Sequence, residues 1–308
     1  MVSRFESGLA DWLGLKPEEV VFTPGATGGT LLALLTLAGH GDELVVESPF
    51  YEPLLRQAER LGKTVHRIAR RLQDAWRLPL DQARDVISER TSVVLITEPH
   101  NPSGVLAPRE QVLELAAIAA SMGATLLVNE VYRGFSGATS YHGSADNVVV
   151  VSSFSKLLGA YWARVGWLSS GEQLAQNLRR AHWNMSIPSS AGAQAGLGFL
   201  EHAAMRTQAA VEAARTGVDV VDAWVTAHDP LSWRRPNGPG FGLIRLPEGA
   251  DDIAFAERLH DVDGVLAVPG TWFEAPGTLR ICWIQAGDRL VEGLSILEAA
   301  LRREREVS

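Results

Sequence analysis

Lysine is scarce in this chain: of its 28 lysines and arginines only three are lysine, at Lys16, Lys63 and Lys156. A chain that writes arginine nearly everywhere it needs a positive charge keeps a lysine where an amine that can give up its proton is required, a job arginine cannot do. Cysteine occurs once, as Cys282 in the alternating stretch LRICWI, and reads as a core residue of a reducing compartment, not a nucleophile. No run of Lys/Arg interrupts a net charge of -8, which argues against a nucleic-acid surface. The longest apolar run, LLALLTLAG, is too short to span a bilayer. The opening VSRFESGLADW places charges where a signal peptide needs an apolar block, so a cytoplasmic protein with no membrane partner is expected. None of the eight histidines sits at metal-ligand spacing, so no metal is expected. Walker and GxGxxG loops are missing as well, which weakens a nucleotide-binding reading.

What is present is a chain of 308 residues, long for one domain and able to bury a large core. Seven short runs rich in Val, Ile and Leu read as strands: VVFT, ELVVES, TVHRIA, SVVLIT, TLLVNEV, NVVVVSS and RVGWLSS. Several are apolar throughout, as strands covered on both faces are. Helical stretches such as TGGTLLALLTLAG, YEPLLRQAERLG and PREQVLELAAIAASMG lie between them. This alternation predicts an α/β fold, a mostly parallel doubly wound sheet. After about Ser170 the pattern changes to Ala-rich helices, GEQLAQNLRRAHWNM and one long stretch over 189–225. A Pro/Gly hinge, strands in FGLIRLP, GVLAVPG and TLRICWI, and a final helix from Asp288 follow. The expected division is a large domain over 1–215 and a smaller α+β domain over 216–308.

Ligands of open parallel sheets bind at the carboxyl ends of the strands, and the polar residues at those ends form a set. VVFTPGATGGT leaves its strand through Gly25, Ala26 and Thr27 and opens a helix; free N–H groups there suit a phosphate, although alone such a turn is more often only a turn. Tyr51 reads either as a half-buried aromatic at a helix start or as a ring stacked on a flat cofactor. Asn101, between two prolines, taken alone marks a turn. LLVNEVYRGF supplies Asn129, Glu130 and Tyr132, and SSFSK supplies Ser153, Ser155 and Lys156, with Arg164 eight residues on.

In this order and spacing Gly25-Ala26-Thr27, Pro49-Phe50-Tyr51, Asn101-Pro102-Ser103-Gly104, Asn129-Glu130-Val131-Tyr132, Ser153-Phe154-Ser155-Lys156, Arg164 and Arg280-Ile281 resemble the class I/II aminotransferases. These are fold-type I enzymes that use pyridoxal 5'-phosphate (PLP), and the resemblance runs from about residue 6 to the C-terminus. It implies that Lys156 holds PLP as a Schiff base and moves a proton at the substrate Cα. It implies phosphate binding by Arg164, Ser153 and the Gly25-Ala26-Thr27 turn, hydrogen bonds to the phenolic oxygen from Asn101 and Tyr132, and Tyr51 over the ring. Arg280 would clamp the substrate α-carboxylate, with Asn101 beside it. The implied reaction is transamination between an α-amino acid and a 2-oxo acid, in a homodimer. Trp162, Trp272 and Trp283 flank these motifs and receive no role; His100 is the one histidine expected near the site.

Two departures follow from the same resemblance. Asn129 stands where the family has the aspartate that keeps the pyridine nitrogen protonated. An amide brings no charge, so about 1 to 3 kcal/mol of that stabilisation is lost, or roughly one to two orders of magnitude in rate for steps that use the ring as electron sink. A cyclase, lyase or oxidase of specialised metabolism, or a weakened PLP-binding homologue, is the alternative. The chain also starts close to its FESGLADWLG helix, where the family carries several dozen more residues, so a more open site and a looser dimer are expected.

Overall fold

A computed structural model describes residues 1–39, 42–185, 189–284 and 287–307. The seven expected strands all form: β1 Val20–Pro24, β2 Glu43–Ser48, β3 Thr64–Ala69, β4 Thr91–Thr97, β5 Thr125–Asn129, β6 Val148–Ser153 and β7 Val165–Ser169. They make one sheet in the order β1-β7-β6-β5-β4-β2-β3. From β3 across to β6 every pairing is parallel, while β7 runs antiparallel to both β6 and β1. A second sheet, β8 Phe241–Arg245, β9 Val268–Pro269 and β10 Thr278–Cys282, is antiparallel in the order β8-β10-β9.

The strand alternation sorts side chains onto the two faces of the large sheet. Val93 and Leu95 of β4, Leu127 of β5 and Val149 and Val151 of β6 pack into one core, covered by α2 Gly25–Leu37, α3 Glu52–Arg60 and α8 Glu172–Met185. On the other face α4 Leu80–Val86 and α5 Arg109–Ser121 cover Val94, Ile96, Leu126, Val128 and Val150, and α1 Val2–Leu13 precedes β1 at the edge of the sheet. Short helices α6 Arg133–Ser136 and α7 Phe154–Leu157 leave the ends of the central strands. At the β1 edge, α1 and α9 Ser190–Leu200 close a core of Phe5, Phe22, Phe154 and Trp167, with Phe5 edge-on to Phe22 at 5.0 Å.

Two helices replace the single stretch expected over 189–225: α9 ends at Leu200 and α10 runs Ala203–Ala227. Around the small sheet, Val218, Val221 and Val225 of α10 share a core with α11 Asp252–Asp261 and α12 Leu290–Val307. Asp251 caps α11 by accepting from the N–H groups of Ile253 and Ala254. The strand expected in GVLAVPG shrinks to Val268–Pro269, since proline has no N–H to extend a ladder. Cys282 is a correction. It is exposed, because Leu279 and Ile281 of β10, with Trp283 just past it, face the core and leave Arg280 and Cys282 on the opposite face. Among the described residues no helix is long and apolar enough to cross a membrane.

Candidate active site

A cavity of about 290 Å³ opens at the carboxyl ends of β1, β4, β5 and β6. Ten of the eleven expected site residues line it: Ala26, Thr27, Tyr51, Asn101, Asn129, Tyr132, Ser153, Lys156, Arg164 and Arg280. The eleventh, Gly25, acts by what it omits. A Cβ built on it would lie 2.5 Å from Arg164 Nη2, so only glycine lets the guanidinium lie against the start of α2. Its φ of +78° is left-handed as well, which glycine adopts without penalty. Arg164 itself has φ 51°, a conformation that costs a non-glycine residue about 1 kcal/mol, and its Nη2 donates to the Pro24 carbonyl at 3.4 Å.

Among the described residues the walls carry three cations, Lys156, Arg164 and Arg280, and no carboxylate. Such a surface selects anions. Two buried polar atoms on these residues, Asn101 Oδ1 and Arg280 Nε, have no hydrogen-bond partner among the described residues; each such atom costs about 1 to 3 kcal/mol unless a ligand satisfies it. The donor set fits PLP and an amino acid: an amine, a phosphate cradle of helix start plus arginine, and a second arginine for a carboxylate. Lys156 Nζ stands 5.8 Å from the Tyr132 ring centre. Phe241 touches both ends of the site, with Arg280 Cζ 4.2 Å over its ring and Tyr132 edge-on at 4.7 Å. Phe273 backs the same guanidinium at 5.3 Å.

Behind the cavity a buried network holds the Asn101 loop. Thr97 Oγ1 accepts from the Asn101 N–H at 2.9 Å and donates to Glu47 Oε1 at 2.8 Å. Glu47 Oε2 accepts from Arg70 Nη1 at 2.8 Å, and the same nitrogen reaches Glu98 Oε1 at 3.3 Å. Two fully buried carboxylates thus share one guanidinium. Burial pushes the Glu98 carboxyl up to about 7, against the pull of Arg70 and with Glu47 adding to the rise. His100 lies in this loop but not on the cavity: its ring nitrogens engage Ser103 Oγ and the Pro49 carbonyl, and burial holds its imidazole well below the ordinary range. Of the tryptophans, Trp283 is core, while Trp162 and Trp272 are exposed. Of the other lysines, Lys63 donates to the Ala38 carbonyl just past α2 at 3.2 Å.

Sequence reasoning missed Thr97, Tyr161 and Gly166. Thr97 closes its strand, so the carboxyl-end rule could have found it. Tyr161 lines the cavity, making three of only four tyrosines that do. Gly166 sits inside β7, opposite Ser153 and Thr23, and a Cβ there would meet the Gly25 carbonyl carbon at 2.4 Å. A lone glycine in a strand signals such an approach.

Known proteins resemble this chain in sequence and in fold. A probable aspartate/prephenate aminotransferase of Aquifex aeolicus is 25% identical over 309 residues, covering 93% of this chain and 76% of the relative. Capreomycidine synthase of Streptomyces vinaceus is 27% identical over 305 residues, 97% of this chain and 78% of the relative. The crystal structure of a PLP-dependent aminotransferase from Streptococcus suis superposes with a TM-score of 0.88 at 26% identity, over 98% of this chain and 82% of that one. The family model for aminotransferase class I and II matches residues 2–290: the chain belongs to that family and is a PLP-dependent transferase of fold type I.

Proposed function

We propose that this enzyme moves an amino group from an α-amino acid to a 2-oxo acid, with PLP held through Lys156. The observation that carries the reading is the convergence of Lys156, the Arg164–Gly25 contact and Arg280 on one carboxylate-free cavity. When bound, PLP supplies a ring that accepts the electron pair left as a bond at the amino-acid Cα breaks. The chain does the rest. Arg164, Ser153 and the α2 N–H groups of Ala26 and Thr27 bind the phosphate. Asn101 and Tyr132 are assigned to the phenolic oxygen, and Tyr51 to the ring face. Arg280 grips the substrate α-carboxylate, and the Phe241 and Phe273 rings against its guanidinium keep that grip in one orientation and out of water. The Lys156 amine takes the Cα proton and returns it elsewhere.

The site is read as part of a homodimer, which the exposed apolar residues beside the cavity support: Tyr161 is 67% and Trp162 69% exposed. Sedimentation showing a monomer at micromolar concentration would remove that part. The division near residue 215 stays our reading of the domains, supported by Val218, Val221 and Val225 of α10 packing with the small sheet. A second reading is cyclisation of an amino acid, favoured by Asn129 and by the capreomycidine synthase relative. PLP-loaded enzyme mixed with single amino acids separates the two. Release of a 2-oxo acid in amounts matching the enzyme, turning catalytic when an acceptor oxo acid is added, supports transamination. A dehydrated ring product with no oxo acid supports the cyclase, and neither product from any proteinogenic amino acid overturns the transaminase reading.

A further inference from the structure

Asn129 ends β5 at the cavity and is 5% exposed. One end of its amide is committed: Oδ1 accepts from the Val131 backbone N–H at 3.2 Å. Turning the amide over would set its NH2 group against that N–H, donor against donor, and lose the bond. The nitrogen Nδ2 is therefore the end left for a ligand, the hydrogen bond described for this side chain being the one at Oδ1. An amide nitrogen in this position can only donate.

The surroundings add to this constraint. The charged groups lining the cavity are Lys156, Arg164 and Arg280, all cationic, and its other titratable groups are Tyr51, Tyr132 and Tyr161. The adjoining carboxylate, Glu130, faces away, accepting from the Tyr141 N–H at 2.7 Å and the Ser140 hydroxyl at 2.8 Å, with Arg133 at 3.9 Å. Glu47 and Glu98 lie behind Thr97 and share Arg70.

We propose that Asn129 donates a hydrogen bond from Nδ2 to the pyridine nitrogen of PLP and thereby holds that nitrogen unprotonated through the neutral pH range. The inference rests on the PLP reading of the cavity. A protonated nitrogen would point its own N–H at Nδ2–H, and among the described lining residues there is no carboxylate to stabilise its charge; both effects favour the neutral ring. The bound ring is then a weaker electron acceptor than one facing a carboxylate, which narrows the set of Cα chemistries the enzyme promotes. Asn129 thus sets the cofactor's charge state as well as its position.

The test is nitrogen NMR of the holoenzyme loaded with PLP carrying an isotopic label at the ring nitrogen, recorded from about pH 6 to about pH 8, across the neutral range in which the ring's charge is at issue. The expected wild-type signal stays at the unprotonated pyridine position throughout, and Asn129→Asp moves it upfield to the pyridinium position. A wild-type signal at the pyridinium position overturns the inference while leaving the PLP reading standing. A pyridine signal that does not move in a folded Asn129→Asp variant, checked by its melting curve, overturns the assignment to Asn129. Label that washes out of the wild-type protein, and that borohydride does not fix on Lys156, overturns the PLP reading and the inference with it. The wild-type spectrum decides the charge state without any variant.

Discussion

Gly166→Ala adds one methyl group where the structure has no room for it. The new Cβ would lie 2.4 Å from the Gly25 carbonyl carbon, 2.7 Å from Gly25 Cα and 2.7 Å from the Ala26 nitrogen. All three are backbone atoms, so no side chain can rotate aside. Since ordinary Cβ contacts begin near 3.4 Å, relief needs a shift of about 1 Å between β7 and the start of α2, against close packing that resists it. Overpacking of this kind costs about 1 to 3 kcal/mol of stability. The larger effect falls on the cofactor. With the Ala26–Thr27 N–H groups holding the phosphate as proposed, about 1 Å of displacement takes a charge-assisted bond out of range, a loss of about 1.5 to 3 kcal/mol, or roughly 10- to 100-fold in PLP affinity. Apo-protein titrated with PLP, read by the visible absorbance of the lysine-bound cofactor, measures the affinity, and a melting curve the stability. Gly198→Ala is the control, because its Cβ meets nothing within 4 Å. Wild-type PLP affinity and melting temperature in Gly166→Ala would refute the reasoning.

Gly198→Ala, inside α9, is itself expected to stabilise the protein by about 0.5 to 1 kcal/mol, visible as a higher melting temperature. Borohydride reduction of the holoenzyme followed by peptide mapping should place the pyridoxyl group on Lys156 alone; label on Lys16 or Lys63 would contradict the site. Arg280→Ala should weaken amino-acid binding by about 1.5 to 3 kcal/mol, with the visible absorbance of the holoenzyme unchanged, whereas loss of PLP binding would make Arg280 structural. Glu98 has a folded-state pKa of about 7, above its unfolded value. The folded protein therefore binds the extra proton, and stability falls as pH rises from about 4.5 to about 7, by at most about 3 kcal/mol for this group. In Glu98→Gln that part of the pH dependence of denaturant unfolding should vanish; an unchanged slope would mean Glu98 is already ionised across the window.

Local pattern carried most of the fold and nearly all of the site. Strands such as SVVLIT and NVVVVSS are apolar throughout because helices cover both faces, and their polar last residues fall on the cavity. The antiparallel direction of β7 was not read, because an apolar run does not tell direction, although residues 154–164 are too few for a helical crossover, which takes about a dozen or more. The break between α9 and α10 falls at Glu201–His202, with neither proline nor glycine to mark it. The Glu47–Arg70–Glu98 network could not be read, because its members stand at the ends of three different strands and no local spacing relates them. Cys282 misled for a simpler reason. In a strand with one wet face, alternation says which residues share a side but not which side is dry.

Because β7 turns back along β6, residues 154–164 are closed off by the Ser153–Gly166 pairing, and they carry both Lys156 and Arg164. In evolutionary terms this segment is a cassette of locked length. Adding or deleting one residue within it would either change the reach between the amine and the guanidinium or slip β7 along its neighbours. A slip would bring Val165 or Trp167 to the place where even an alanine collides with Gly25 and Ala26. Point substitutions can accumulate between Ser153 and Gly166 while the count of residues cannot drift, so descendants of this chain should vary there in spelling and not in length.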